Sequence, residues 1–342
     1  MPTIHAPAVL AQLWAISFGK LGNLLQSVGS TFSLVSLASA LILAAGILAL
    51  RRHRRGRPIR LAVLRRALFP RGRHRTASAK ADLGFFVFSL LMFGVLFGWM
   101  ILSANLVTGW VTHALTAALG PAPTGAMPRL LRMGTDTVVL FLAYELGFWI
   151  DHYLSHRVPF LWAFHKTHHT AQTLSPLTNF RLHPVDGVKF ANILALTLGS
   201  VSGLLNYLFG QGPGAFQVAD RNVILLVFVL TTLHLQHSHI WLAATGVWGR
   251  IILSPAHHQI HHSADPAHFD RNFGSYLSVW DWLFGTLEIP TREPQRLTFG
   301  VDPIGPSQHT VTGALIEPFA EAFAPLVAAA RPTMTPAKTC GG

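Results

Sequence analysis

Most of the chemistry legible in this chain is carried by histidine. It has 19 histidines, and the regularly spaced ones fall between His152 and His262. They are His152 and His156; His165, His168 and His169; His234, His237 and His239; and His257, His258, His261 and His262. A neutral imidazole is a good ligand for iron, zinc, copper and nickel, and burying one without a partner is costly. Residues i, i+3 and i+4 share a helix face, so His152 and His156 project together. His165, His168 and His169 form one three-histidine unit, and His258, His261 and His262 form a second. These imidazoles are too many for one tetrahedral zinc, which takes four ligands. They suit two metals of higher coordination number with positions left open for oxygen or substrate. His237 is favoured as a further ligand, with His234 and His239 as second choices. His183 reads as a supporting residue and His257 as pointing away. His5, His53, His74, His113, His268 and His309 read as ordinary surface or interface residues.

The elements that position these histidines are apolar. Of 342 residues, 51% are hydrophobic and only 12% charged, against about 25% charged in an ordinary soluble domain. Mean hydropathy is +0.41. An integral membrane protein is implied. The net charge of +12 is concentrated in RRHRRGRPIRLAVLRRALFPRGRHR, Arg51 to Arg75. A basic block directly after an apolar run reads as a cytoplasmic anchor against anionic lipid, and nucleic-acid binding is not expected. Cys340 is the only cysteine, so neither an intrachain disulfide nor a Cys-ligated iron–sulfur cluster is available. Electrons for the site must come from another molecule. No signal peptide is recognised at the N-terminus, which reads as that of the mature protein.

Along the chain, Ala8 to Gln26 reads as an interfacial amphipathic helix. Phe32 to Leu50 is long enough to span a bilayer, which takes about 20 residues. Leu83 to Leu106 reads as a second span and Thr135 to Ile150 as a third, with a Gly/Pro/Ala loop from Gly120 to Pro128 between them. Val188 to Phe209 and the shorter Val223 to Leu233, joined by Gly210 to Gly214, read as a hairpin of spans. Counting crossings from a cytoplasmic arginine block puts every histidine cluster at one membrane face. Residues 1–82 are expected to form an N-terminal segment with one span and the basic block. Residues 83–290 would be the membrane-embedded catalytic domain, and 291–342 a Pro/Ala-rich tail. The fold class expected is all-α, an integral membrane helical bundle with a histidine-rich metal site at its cytosolic face.

Three segments, His152 to His169 (HYLSHRVPFLWAFHKTHH), Asn179 to Pro184 (NFRLHP) and Ser254 to Thr286 (SPAHHQIHH…NFGSYLSVWDWLFGT), resemble the fatty acid hydroxylase/sterol desaturase superfamily. The resemblance covers roughly Thr135 to Pro290. It implies a non-haem di-iron centre at the cytosolic membrane face, using O2 and external electrons to hydroxylate or desaturate a fatty acyl, sterol or carotenoid lipid. By similarity His152, His156, His165, His168, His169, His258, His261 and His262 carry over as ligands of two iron ions, and His237 with them. The chain departs from the pattern at His152-Tyr153, where His-Arg is common, and at His239, where Asn is common. Glu145 can fill the acidic position seven residues before the first box.

The physical logic stands beside the name. Breaking an unactivated C–H bond needs a high-valent metal–oxygen oxidant, and imidazoles withstand oxidation better than thiolates. A site at the membrane face admits a lipid laterally while a ferredoxin- or cytochrome-type donor with its reductase approaches from the cytosol. A multi-pass inner-membrane location in a bacterium is expected. Phe160, Trp162, Phe164, Trp280, Trp282 and Phe284 are candidates for pocket walls or for an interfacial belt. Asp151, Asp186, Asp265, Asp270 and Asp281 are candidates to orient imidazoles, with Asp281 favoured. The alternative function is a histidine-rich metal-binding or transport protein without oxygenase activity. That reading needs a polar path through the spans, which the third and fifth apolar runs do not offer.

Overall fold

The computed structural model describes residues 18–121, 127–302 and 306–330. The start of the expected N-terminal amphipathic helix, His5, the centre of the Gly120–Pro128 loop and Cys340 lie outside the described residues.

The regular secondary structure of the described residues is helical apart from one two-stranded antiparallel pair, Gln217–Val218 with Arg221–Asn222, and two isolated bridges. The helices that matter for the site are α1 (Leu34–Arg54), α2 (Leu61–Leu68), α3 (Ala77–Phe88), α4 (Ala104–Leu119), α5 (Arg129–Arg157), α6 (Pro159–His169), α7 (Pro184–Phe209), α8 (Val223–Thr231), α9 (Leu233–Gln236), α10 (Pro255–His261), α11 (Val279–Leu283) and α12 (Val311–Ala330). Four stretches are long and apolar enough to cross a bilayer: Leu34–Arg54, Ala77–Leu119, Arg129–Arg157 and Pro184–Phe209.

Prolines mark where the box-bearing helices begin. Val158 is extended (φ −101°, ψ 112°) and ends α5, because a residue before proline is driven out of the helical region. Pro159 then opens α6, Pro184 opens α7 and Pro255 opens α10, each in the first turn, where a missing N–H costs nothing.

Helices α5 and α7 run antiparallel. Arg132 reaches Asn206 and the Gly210 carbonyl at one end, and Lys189 reaches Asp151 at the other. Helix α4 lies along α7 in the same direction, with Leu102 N–H on Asn192 and Thr112 on Gly203. Glycine makes this contact possible: a Cβ at Gly199 would stand 2.5 Å from Val107 Cβ, and one at Gly203 would stand 2.7 Å from Val111 Cβ. Small residues at a helix crossing let backbones approach within a bilayer, where packing drives association.

The second span differs from the expectation of one helix over Leu83–Leu106. Helix α3 starts earlier and passes through π geometry at Ser89–Phe93 and a 3-10 turn at Gly98–Met100. It is then interrupted over 101–103 before α4. Gly94 and Gly98 weaken the helix there, and Asn192 takes up the freed groups by accepting from Leu102 N–H and donating to Met100 O.

The C-terminal stretch after residue 290, in which the sequence shows no motif, forms α12 and packs on α6. The arginine block sits at the histidine end of the bundle: Arg51 donates to Trp241 O, and His239 Nε2–H donates to Ala67 O.

Candidate metal centre

Nine histidines from three parts of the chain converge into two groups. His152, His156, His165, His169 and His261 form one, and His168, His237, His258 and His262 form the other. Within each group the donor nitrogens lie within 4.8 Å of one another. The groups abut, with the His169 and His262 rings stacked at 4.5 Å between centroids.

Helix periodicity explains the division. Residues i and i+4 lie on one stripe, whereas a neighbour is rotated by about 100°. The pairs His152/His156 and His165/His169 therefore enter the first group, and His258/His262 enters the second. His168 and His261, one residue off these pairs, cross to the other group. Each three-histidine unit thus supplies both groups instead of serving one.

The supporting bonds fix the tautomers. His152 Nδ1–H donates to Phe273 O at 2.8 Å, His261 Nδ1–H to Arg271 O at 2.8 Å, and His165 Nδ1–H to Asp186 Oδ2 at 2.9 Å. Carbonyl and carboxylate oxygens only accept, so these Nδ1 atoms carry the proton and Nε2 keeps a free lone pair. The buried Nε2 atoms of His152, His156, His165, His169 and His261 have no hydrogen-bond partner. In the second group, Nε2 atoms stand 3.0 to 3.2 Å apart: His237 from His168, His258 and His262, and His262 from His258. A neutral imidazole has one N–H, so this cluster cannot be satisfied internally, and its Nδ1 atoms are also unpartnered. At a metal–nitrogen length of about 2.1 Å, tetrahedral neighbours stand about 3.4 Å apart and right-angle neighbours about 3.0 Å apart. The observed spacing is nearer the second. Unpaired, buried, converging imidazole nitrogens fit a pair of cations well.

Electrostatics agree. Burial, helped by the surrounding imidazoles, holds His168, His169, His237, His258 and His262 well below the ordinary histidine range. His261 is lowered to about 3, chiefly by burial. These rings are neutral at pH 7, the form that binds metal.

His234 and His239, the second-choice ligands, stand outside both groups. Helix α9 ends at Gln236 and the chain turns at His237 (φ −95°, ψ 66°), so only His237 faces inward. His234 Nε2 meets Ser36 Oγ of α1 at 3.0 Å, and His239 faces α2. His257 does point away, capping Ser254 N–H and donating to Gly249 O. His183 caps α7 and donates to Leu315 O of α12. His309, read from sequence as an ordinary surface or interface residue, accepts from Arg181.

The aspartates also sort differently. Asp186, not Asp281, bonds an imidazole directly, and Lys189 bridges Asp186 and Asp151. Asp281 acts one step away: it accepts from Phe273 N–H, Gly274 N–H, Thr286 and Trp149, which fixes the loop whose Phe273 carbonyl holds His152. Asp265 caps the next turn through Ala267 N–H, and Asp270 pairs with Arg157 near His156. Glu145, seven residues before His152, accepts from Tyr276 and Leu277 N–H.

Sequence reasoning missed Arg181. Its side chain is fully buried and ties Asp82 and Ser78 of α3 to Thr167 O, Thr170 and Gln308 O. It thereby clamps the end of the helix that carries His165, His168 and His169. The motif NFRLHP held the signal, but not the identity of the distant partner Asp82.

A cavity of about 170 Å³ opens beside the groups. His152, His165, His168, His237 and His258 reach it, and Tyr144, Phe148, Phe190, Leu225, Val229 and Tyr276 line it. None of the six aromatics proposed from sequence as wall residues does. Phe160, Trp282 and Phe284 are exposed, and Phe284 stacks on Trp149. Trp162 lies against the His156 and His169 rings, and Phe164 against His183.

Comparison with known proteins gives a consistent result. Residues 137–286, a little under half of the chain, match the family model described as Fatty acid hydroxylase. Human alkylglycerol monooxygenase is 26% identical over 164 residues, covering 47% of this chain and 32% of that protein. Ornithine lipid hydroxylase OlsE of Rhizobium tropici is 29% identical over 171 residues, covering 49% and 46%. A putative Delta(7)-sterol-C5(6)-desaturase of Arabidopsis thaliana is 28% identical over 162 residues, covering 45% and 48%. The matched part of the chain thus spans about a third to a half of these relatives' length. No solved structure matches.

Proposed function

Residues 137–286 make this chain a member of the fatty acid hydroxylase/sterol desaturase superfamily, and from that premise we propose that it is a membrane-bound non-haem di-iron oxygenase that hydroxylates or desaturates a lipid. The observation that carries the reading is the pair of abutting all-histidine groups beside an apolar-walled cavity. His152, His156, His165, His169 and His261 hold one iron, and His168, His237, His258 and His262 the other. Bound iron supplies activation of O2.

The chain's own residues do the rest. Phe273 O, Arg271 O and Asp186 hold Nδ1–H so that Nε2 points inward. Asp281 and Glu145 fix the loop that presents the Phe273 carbonyl. The apolar walls exclude bulk water and align an alkyl segment. For hydroxylation the balance is R–H + O2 + 2 electrons + 2 protons giving R–OH + H2O. The two electrons come from an external donor of ferredoxin or cytochrome type; the chain's single cysteine cannot itself hold an iron–sulfur cluster. The metal site faces the cytoplasm. This is supported by the arginine block at the histidine end of the bundle, since Lys and Arg concentrate in cytoplasmic loops.

The test is to incubate the iron-loaded protein with a lipid extract, a reductase–ferredoxin pair and ¹⁸O2. A product carrying one ¹⁸O, or one lacking two hydrogens, supports the proposal. Failure of wild type and His168→Ala alike to form either product, with iron and donor present, rejects it.

A further inference from the structure

The cavity beside the histidines has a second, cationic pole. On α5, Tyr144, Phe148 and His152 recur every four residues and line one wall. At 1.5 Å per residue that stripe runs about 12 Å away from the imidazoles. Leu225, Val229 and Leu233 form the facing stripe, and Phe190 and Leu182 close a third side.

Arg221 lines the far end, within electrostatic reach of Tyr144 and Tyr276. It sits in the β-pair opposite Val218. The next residue, Asn222, donates to Thr137 O, so Arg221 lies beside the first third of the candidate span Arg129–Arg157. Charged residues in a membrane span face the interior with a partner.

Other cations in this part of the fold have aspartate partners: buried Arg132 with Asp136, buried Arg181 with Asp82, and half-buried Lys189, like Arg221 in exposure, with Asp151 and Asp186. Arg221 has no carboxylate partner among the described residues. Its Nε–H donates to Gly29 O, which leaves the two terminal nitrogens, the edge that grips a carboxylate or phosphate through two parallel bonds.

We infer that Arg221 anchors the anionic head of an amphiphilic substrate, a carboxylate or a phosphate, while the alkyl chain lies along the slot. A fixed distance then separates the head from the carbon presented to the histidines. The inference rests on the oxygenase reading for its second part only; the binding step stands without iron.

The experiment uses metal-free full-length protein in detergent and measures equilibrium binding of dodecanoate, dodecyl phosphate and dodecanol. Wild type is expected to bind at least one anion ten or more times tighter than dodecanol. The carboxylate and phosphate arms separate a free acid from a phospholipid-type head. Arg221→Gln should lose that preference and keep its dodecanol affinity, and Arg221→Lys, with charge but no fork, should fall between. Equal binding of all three probes by wild type overturns the inference whether or not the variants fold, as does a preference that survives in a folded Arg221→Gln. In the iron-loaded enzyme, acids of 12, 14 and 16 carbons should be oxidised at one position counted from the head. Oxidation at a constant distance from the methyl end would contradict the anchor. Absence of any oxidation with intact anion preference would count against the oxygenase reading instead.

Discussion

Replacing Asp186 tests whether the polar groups behind the histidines govern metal affinity. Among the described residues it is the only carboxylate within hydrogen-bond distance of an imidazole in either group, 2.9 Å from His165 Nδ1. Asp186→Asn keeps an oxygen acceptor but removes the charge. A charge-assisted hydrogen bond contributes about 1.5–3 kcal/mol and a neutral one about 0.5–1.5 kcal/mol. The loss is therefore about 1–1.5 kcal/mol, or about tenfold in the affinity of the five-histidine group. Asp186→Leu removes the acceptor and leaves His165 free to rotate, so its loss should approach the hundredfold reported by removal of such supporting groups. Lys189 keeps Asp151 at 2.6 Å, so the fold should survive either change. The assay is competition between the protein and a soluble chelator, resolved into a tighter and a weaker iron. One of the two irons should weaken and the other, on His168, His237, His258 and His262, should stay put. If both variants titrate like wild type, or if both irons weaken equally, the reasoning from Asp186 through His165 is wrong.

Other expectations concern single side chains. His168→Ala should abolish product formation and lower bound iron, while His113→Ala, an exposed residue on α4, should leave both unchanged. His309 is unsuitable as that control because it contacts Arg181. Asp82→Leu strands the fully buried Arg181 guanidinium and should destabilise by about 3–5 kcal/mol, read as a lower midpoint of thermal inactivation; the further change Arg181→Met should recover part of it. Gly199→Val forces α4 from α7 and should cost about 1–3 kcal/mol by overpacking on the same assay. His234 carries a pH dependence. Burial lowers it to about 4, so the folded protein keeps it neutral while the unfolded chain takes up a proton below about pH 6.5. Its stabilising contribution is complete above pH 6.5 and falls as pH drops toward 4, by about 3 kcal/mol at most. Midpoints at pH 7.5 and 5 should therefore differ less in His234→Phe than in wild type.

Much of the candidate site was legible because helix periodicity is: the spacing of His152/His156, His165/His169 and His258/His262 already puts each pair on one face. The partition into groups of five and four was not, since it depends on how three helices are brought together and on which side His168 and His261 turn. His234 and His239 stood as second choices behind His237, and what sets them apart is the end of α9 at Gln236 with their own bonds to α1 and α2, which spacing does not give. Asp281 stood out in its aromatic motif, whereas Asp186 becomes a histidine partner only when α7 starts beside α6. The apolar runs foretold the spans of α5 and α7, but the interruption over 101–103 depends on Asn192, ninety residues on. Helix α12 lacked any motif because its role is to cover α6, and covering requires only apolar surface.

The claim that two irons sit in these two groups is tested most directly by metal analysis of the purified full-length protein, reconstituted anaerobically with ferrous iron and freed of excess. The account predicts close to two irons per chain, falling toward one in His237→Ala, with a spectrum lacking a Soret band. A stoichiometry of one, a bound zinc that iron does not displace, or an unchanged iron count in both His237→Ala and His261→Ala would contradict it.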